Sequence, residues 1–261
     1  MILVEQELLR ARWRRTLAEF GLDRTSRDDF GMGVLAGRLQ TVTVQLMLLP
    51  ADPEADVIDF DEKFASWLGD QRRFDLDGLL LDLPPNVRRT AHAVALTDGY
   101  GEDPWGSYYG VHRSGALEFG LGQSAGWRNR DGNDVETGVI ALTPTVARTW
   151  VLLRFAATLA QRVPLEGPFS LAVAVPRAGG MLLGCLGEGW APPNSFENTV
   201  RPCRDERLLW HIELPALPVG DDAKTLAYAV GDRLEDAWGC GQRRYLALRG
   251  QNQGKLDPRQ V

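Results

Sequence analysis

The residues best suited to chemistry begin with Ser124, at the centre of the Gly122–Gly126 run Gly-Gln-Ser-Ala-Gly. This G-x-S-x-G spacing matches a nucleophile elbow, in which a sharp strand-to-helix turn lifts a serine above a sheet and leaves a backbone N–H for an oxyanion. Asp205 and His211 come later in the Ser…Asp…His order, as orienting acid and general base. The pattern describes a small serine hydrolase using Ser124, His211 and Asp205. The residues after the serine argue against it, because WRNRDGND (Trp127–Asp134) reads as turn where the elbow needs a helix. A plain hairpin-exit loop is the expectation.

Other chemistries find less support. Gly31–Gly37 (GMGVLAG) has glycines that would let backbone amides approach a phosphate, yet the segment before it is polar and acidic instead of a strand, and no G-K-[ST] comes after it. Cys185, Cys203 and Cys240 have no C-x-x-C spacing, and His92, His112 and His211 fall in separate predicted strands, so converging zinc ligands are not expected. NRDGND (129–134) spaces its oxygens like a calcium loop, but Asp134 occupies the loop's glycine position and Ile140 its terminal glutamate position. No metal and no cofactor is expected.

Recognition is a better match to the residue types. Trp105, Tyr108, Tyr109, Trp127 and Trp190 fall near predicted turns, and Arg128 and Arg130 adjoin Trp127. Aromatic bodies supply contact area, while guanidinium and amide groups supply hydrogen bonds. The binding residues expected on this reading are Trp105, Tyr108, Tyr109, Trp127, Arg128 and Arg130, within the loops Tyr100–Tyr109 and Gly122–Asp134. A third reading takes the first helix, whose stripe Leu9, Trp13, Leu17 and Phe20 is flanked by Arg10, Arg12, Arg14 and Arg15, as a nucleic-acid contact. A solvated arginine face over a core-facing stripe is the commoner outcome.

These residues must be positioned by elements that periodicity and turn signals outline. After the first helix, Arg38–Pro50 reads as a strand ending at the proline. Phe60–Leu68 reads as a short helix capped by Asp59 and ended by Gly69, and Phe74–Pro85 as a mixed loop. Ala91–Thr97 alternates as a strand, and Ser107–Leu121 as a hairpin folded at Ser114–Gly115. Val139–Leu142 is a strand leading to a helix with Thr143 as cap and Pro144 as its first residue, burying Val146, Trp150, Leu153 and Ala157. Phe169–Val175 and Met181–Leu186 read as a hairpin, Leu208–Leu214 as a further strand. A last helix from Asp221–Asp222 carries Leu226, Val230, Leu234 and Trp238 inward and stops at Gly239. Strands in runs with helices between the runs predict an α+β fold: a mostly antiparallel sheet packed by two long helices, with an N-terminal helix and a smaller N-terminal subdomain. The proline pair Pro84–Pro85 offers a boundary, with the helix, strand and short helix of 1–85 before it, either a subdomain or part of the same domain, and an α+β core over 86–261.

Bulk composition narrows the function class. The 44% hydrophobic and 25% charged content is that of a globular chain, and no apolar run approaches the roughly 20 residues that span a bilayer. The apolar residues of the N-terminus precede its charges, unlike a secretory signal, and three scattered cysteines make a poor disulfide framework. A cytoplasmic protein is expected. A net charge of −6 gives no global attraction to nucleic acid or anionic membranes.

The hairpin VHRSGALEFG (Val111–Gly120), the helix TPTVARTWVLLRFAATLAQR (Thr143–Arg162), GPFSLAVAV (Gly167–Val175) and LEDAWGCGQRRYL (Leu234–Leu246) form an ordered set. Together, over Leu46–Leu248, they resemble the accessory C-terminal region of bacterial Schlafen/AlbA-type DNA-binding proteins, many of which sit in defence-like gene contexts. The nucleic-acid-binding domain that precedes this region in the family has no counterpart in the sequence, so no functional residue carries over. The resemblance implies an accessory module that binds a partner or a signal; the net charge and the lack of long apolar runs add the expectation of a protein partner or small ligand, with nucleic acid possible but not favoured and no membrane association. The expectation is a non-enzymatic binding or regulatory module of a bacterial defence or signalling complex.

Overall fold

The structure is a computed structural model that describes residues 11, 44–89, 93–98, 106–121, 139–184 and 202–239, together with the backbone of 127–128 and 134–135. The described elements are β1 (Val44–Leu49), α1 (Glu62–Asp70), β2 (Arg73–Leu76), β3 (Leu79–Asp82), β4 (Asn86–Arg89), β5 (Ala93–Thr97), β6 (Ser107–His112), β7 (Leu117–Leu121), β8 (Trp127–Arg128), β9 (Asp134–Val135), β10 (Val139–Ala141), α2 (Leu142–Ala160), β11 (Phe169–Val175), β12 (Leu182–Gly184), β13 (Leu208–Leu214) and α3 (Asp221–Ala237). The fold is α+β. A seven-stranded sheet runs in the order β13-β11-β1-β7-β6-β5-β4, every neighbouring pair antiparallel. Among the described residues, no helix is long and apolar enough to cross a membrane.

Side chains alternate across the pleat, which divides the sheet into two unlike faces. Val44, Leu46 and Leu48 of β1 join Tyr109, Val111, Leu117, Phe119, Leu171 and Val173 on the first face, in one cluster with residues of all three helices. α2 is buried nearly all round, at Val146, Trp150, Leu153 and Phe155 among others, as a helix enclosed by core must be. The rings of Trp67 and Phe74 lie 6.3 and 6.2 Å from Phe155, tying α1 and the β2–β3 hairpin to the same helix. Arg148 and Arg154 donate to the carbonyls of Asp82 and Asp75, fastening that hairpin onto α2. Trp150 and Trp238 are core residues, and Trp238 donates its indole N–H to the Met181 carbonyl at 2.9 Å.

Several local expectations shift. Phe74–Pro85 is not a loop: β2 and β3 pair about Asp77 and Gly78, whose φ values of 55° and 91° are those of a tight hairpin turn. The cap of α1 is Asp61, which accepts from Phe64 N at 2.6 Å, so the helix starts two residues later than Asp59 capping would require and passes through Gly69. α2 begins at Leu142 without a side-chain cap, with Thr143 and Pro144 inside its first turn. Proline is tolerated there because the first N–H groups of a helix have no intrahelical partner. β11 and β12 do not form a hairpin. β11 is held between β1 and β13, leaving β12 to pair in parallel with β10. The hairpin at Gly115 (φ 81°) and the strand Leu208–Leu214 agree with the sequence pattern. β1, from before Pro84–Pro85, is an inner strand between β7 and β11, so described residues on both sides of the proline pair share one sheet.

Candidate functional site

The second face of the sheet holds the most concentrated polar chemistry among the described residues. Its apolar part is small: Met47, Leu49, Ala116, Ala172 and Ala174, with Leu209 at the margin. Beside it lie Gln45, Tyr108, His112 and Glu118, all buried. Register explains how they meet. Glu118 on β7 stands opposite Gly110 on β6, which offers no side chain. Tyr108 and His112, two residues to either side of Gly110, therefore both reach the carboxylate across the vacant position. Gln45 arrives from β1, diagonal to Glu118, because its direct partner is Gly120. Diagonal neighbours in an antiparallel pair lie within reach of long side chains.

Oε1 of Glu118 accepts from the Tyr108 hydroxyl and from Gln45 Nε2 (2.8 Å), while His112 Nε2 is hydrogen-bonded with Oε2 at 3.0 Å. A carboxyl group at 0% exposure is tolerated only when hydrogen-bonded, which these partners achieve. Burial, and next the charge of Glu118, push the Tyr108 hydroxyl well above the ordinary phenol range. Gln45 Oε1 finds no partner among the described residues. The arrangement engages one buried carboxyl group with side chains from three strands, inside the sheet.

The expected site residues that the structure describes fall on different elements. Tyr108 and Tyr109 are interior side chains of β6, pointing to opposite faces of the sheet, so neither is offered at a loop. Burial raises the Tyr109 hydroxyl to about 12. His211 is exposed on β13, opposite Ala172, and Asp205 lies in the segment before that strand. Ser124, Trp105 and Arg130 lie outside the described residues, as do His92, Trp190 and the arginines flanking the first helical stripe. Trp127 and Arg128 form β8, which pairs with β9 in the register Trp127↔Val135 and Arg128↔Asp134. A strand thus begins three residues after Ser124, where the nucleophile elbow requires a helix.

Among the described residues, no three His, Cys, Asp or Glu side chains converge as metal ligands. Cys203 is a buried thiol whose pKa burial raises. Sequence reading missed the Glu118 group, although a signal was present. Gln45 and Glu118 are lone polar residues inside otherwise apolar strands, VQLMLL and LEFGL. Such residues in a central strand need partners, and two of them imply each other.

Comparison with known proteins adds no relative: no family model, no curated protein and no solved structure matches the chain.

Proposed function

We propose that the protein is a non-enzymatic binding or regulatory module whose recognition element is the β8–β9 hairpin. The pairing of Trp127–Arg128 with Asp134–Val135 is the observation that carries this reading. The sequence between them, Asn129–Asn133, is rich in amide, guanidinium and carboxylate groups, the donors and acceptors that recognition uses. An arginine and a tryptophan at its base are the residue types that most often dominate interface energies. The strand at Trp127 supports this reading over a catalytic Ser124, for which the nucleophile elbow would need a helix there. In the setting that the Schlafen/AlbA-type resemblance implies, the partner is a protein of a bacterial defence or signalling complex.

The test is recovery of partners by the tagged full chain from its native host, identified by mass spectrometry. Trp127→Ala with Arg128→Ala should abolish a partner that the wild type recovers, because a central Trp or Arg anchor contributes about 2 kcal/mol or more. Equal recovery by both proteins would remove this surface. Cleavage of a generic ester by the wild type but not by Ser124→Ala would establish the hydrolase reading instead.

A further inference from the structure

Between the outer side of α1 and the residues that follow α2 lies an open cavity of about 430 Å³, lined by Glu62, Lys63, Ser66, Trp67, Asp70 and Arg162. Its volume falls within the range of small-molecule sites. We propose that this cavity binds a free peptide of two or three residues by its charged termini, the carboxylate at Lys63 and Arg162 and the ammonium at Asp70.

The floor of the cavity is rigid and apolar. Five of its lining residues come from one side of α1, at i, i+1, i+4, i+5 and i+8, while Phe64, Ala65 and Leu68 hold that helix in the core. The half-buried ring of Trp67 lies 5.5 Å from Phe64 and 6.3 Å from Phe155. Arg162 brings its guanidinium to 5.1 Å from the centre of the same ring, a cation–π contact. The backbone N–H of Arg162 donates to the Leu159 carbonyl at 2.9 Å, which fixes where this arginine leaves α2. Trp67 thus offers flat apolar surface with a positioned cation over it.

The charges around that floor select the occupant. Lys63 and Arg162 are positive and Glu62 and Asp70 negative, so the lining sums to zero. Among the described residues, none of these four side chains is held in an ion pair or hydrogen bond. The spacing along α1 explains this, because the lining residues contain no opposite charges at i, i+3 or i, i+4. Lys63 is the second residue of α1 and Asp70 the last. A cation therefore stands near the positive end of the helix dipole and an anion at its negative end, the reverse of the stabilising arrangement, which Glu62 offsets only at the first turn. A ligand anion beside Lys63 and a ligand cation beside Asp70 complement both ends at once. The two residues are about 10 Å apart along the helix axis. An extended tripeptide has about the same length. A polyanion would meet Glu62 and Asp70 and a polycation Lys63 and Arg162, so a neutral ligand with separated charges matches the site best.

The test is titration of the isotope-labelled full chain with the tripeptide Ala-Leu-Ala, followed through backbone amide shifts by NMR. Saturable shifts are expected at Glu62–Asp70 and Arg162. Acetylating the peptide's N-terminus or amidating its C-terminus should each weaken binding about fivefold, the scale of one solvent-accessible charge contact. Lys63→Gln should weaken the free peptide by the same factor and leave the C-amidated peptide unaffected. Asp70→Asn should do likewise with the N-acetylated peptide. Both substituted residues are exposed, so the variants keep the fold and the comparison is of binding alone. No saturable shift up to about 10 mM peptide would overturn the proposal. So would shifts centred away from α1, or equal binding of the free and blocked peptides.

Discussion

The two faces of the seven-stranded sheet are equally buried but are held by different physics. The first is filled with Leu, Val, Phe and Tyr side chains locked against three helices, and its stability scales with apolar area removed from water. The second is built from alanines, glycines and a carboxyl group hydrogen-bonded with Tyr108, Gln45 and His112. On the first face a lost side chain leaves a cavity, and neighbours can only partly close it. On the second, a lost side chain leaves polar groups without partners, and removing those partners too can restore much of the loss. Burial alone therefore does not say what a mutation will do.

The largest effect is expected on the first face. Trp150→Ala or Trp238→Ala should each cost about 3–5 kcal/mol in urea unfolding, the range for truncating a large buried side chain. A loss near zero would mean that these helix faces are misassigned. On the second face, Glu118→Leu should cost about 3 kcal/mol, because buried polar groups of Tyr108, Gln45 and His112 lose their partner. Adding Tyr108→Phe and Gln45→Leu to that variant should recover a large part of the loss. A triple variant as unstable as the sum of its parts would show that the second face obeys the rules of the first.

Alkaline titration separates the two adjacent tyrosines, one on each face. Tyr109, raised by burial to about 12, should ionise before Tyr108, which has burial and the Glu118 charge acting together. The sign comes from linkage: a phenol whose folded pKa exceeds its unfolded value of about 10 stabilises the fold fully below pH 10. That contribution fades as pH rises through the folded value. Tyrosinate absorbance of the single Phe variants assigns the order, and Tyr108 ionising first would contradict the reading of its environment. The smallest effect belongs to the Arg73–Asp82 pair at 2.9 Å, which is fully solvated. Arg73→Ala should leave Tm within error of wild type, since exposed ion pairs contribute little. A drop as large as that of Glu118→Leu would remove the distinction between buried and exposed charge.

The sequence revealed the first face better than the second. Helical spacing of the large apolar residues in Leu226–Trp238, the proline-led start of α2 and the turn at Ser114–Gly115 were local signals, so the α+β class and most strands could be read directly. Pairing choices were less legible, because β11 is apolar along its whole length and nothing local says which neighbours it takes. Asp77–Gly78 did carry a hairpin signal, overlooked beside the proline pair that comes after it. The Glu118 group was hidden for a different reason. Gln45, Tyr108, His112 and Glu118 come from three strands and meet only through the sheet's register, with Gly110 and Gly120 making room. Tyr108 and Tyr109 resembled loop aromatics because a glycine-rich turn precedes them, although strand alternation sends one ring to each face.

On the function proposed above, recognition and architecture are separate: the β8–β9 hairpin is the proposed partner surface, while the Glu118 group lies inside the sheet. Partner recovery per mole of folded protein tests this most directly, comparing wild type, Trp127→Ala with Arg128→Ala, and Glu118→Gln under one set of conditions. The hairpin variant should lose the partner at an unchanged Tm, and Glu118→Gln should keep the partner at a lowered Tm. Retention of the partner by the hairpin variant, together with its loss by folded Glu118→Gln, would contradict the account and move the functional site into the sheet.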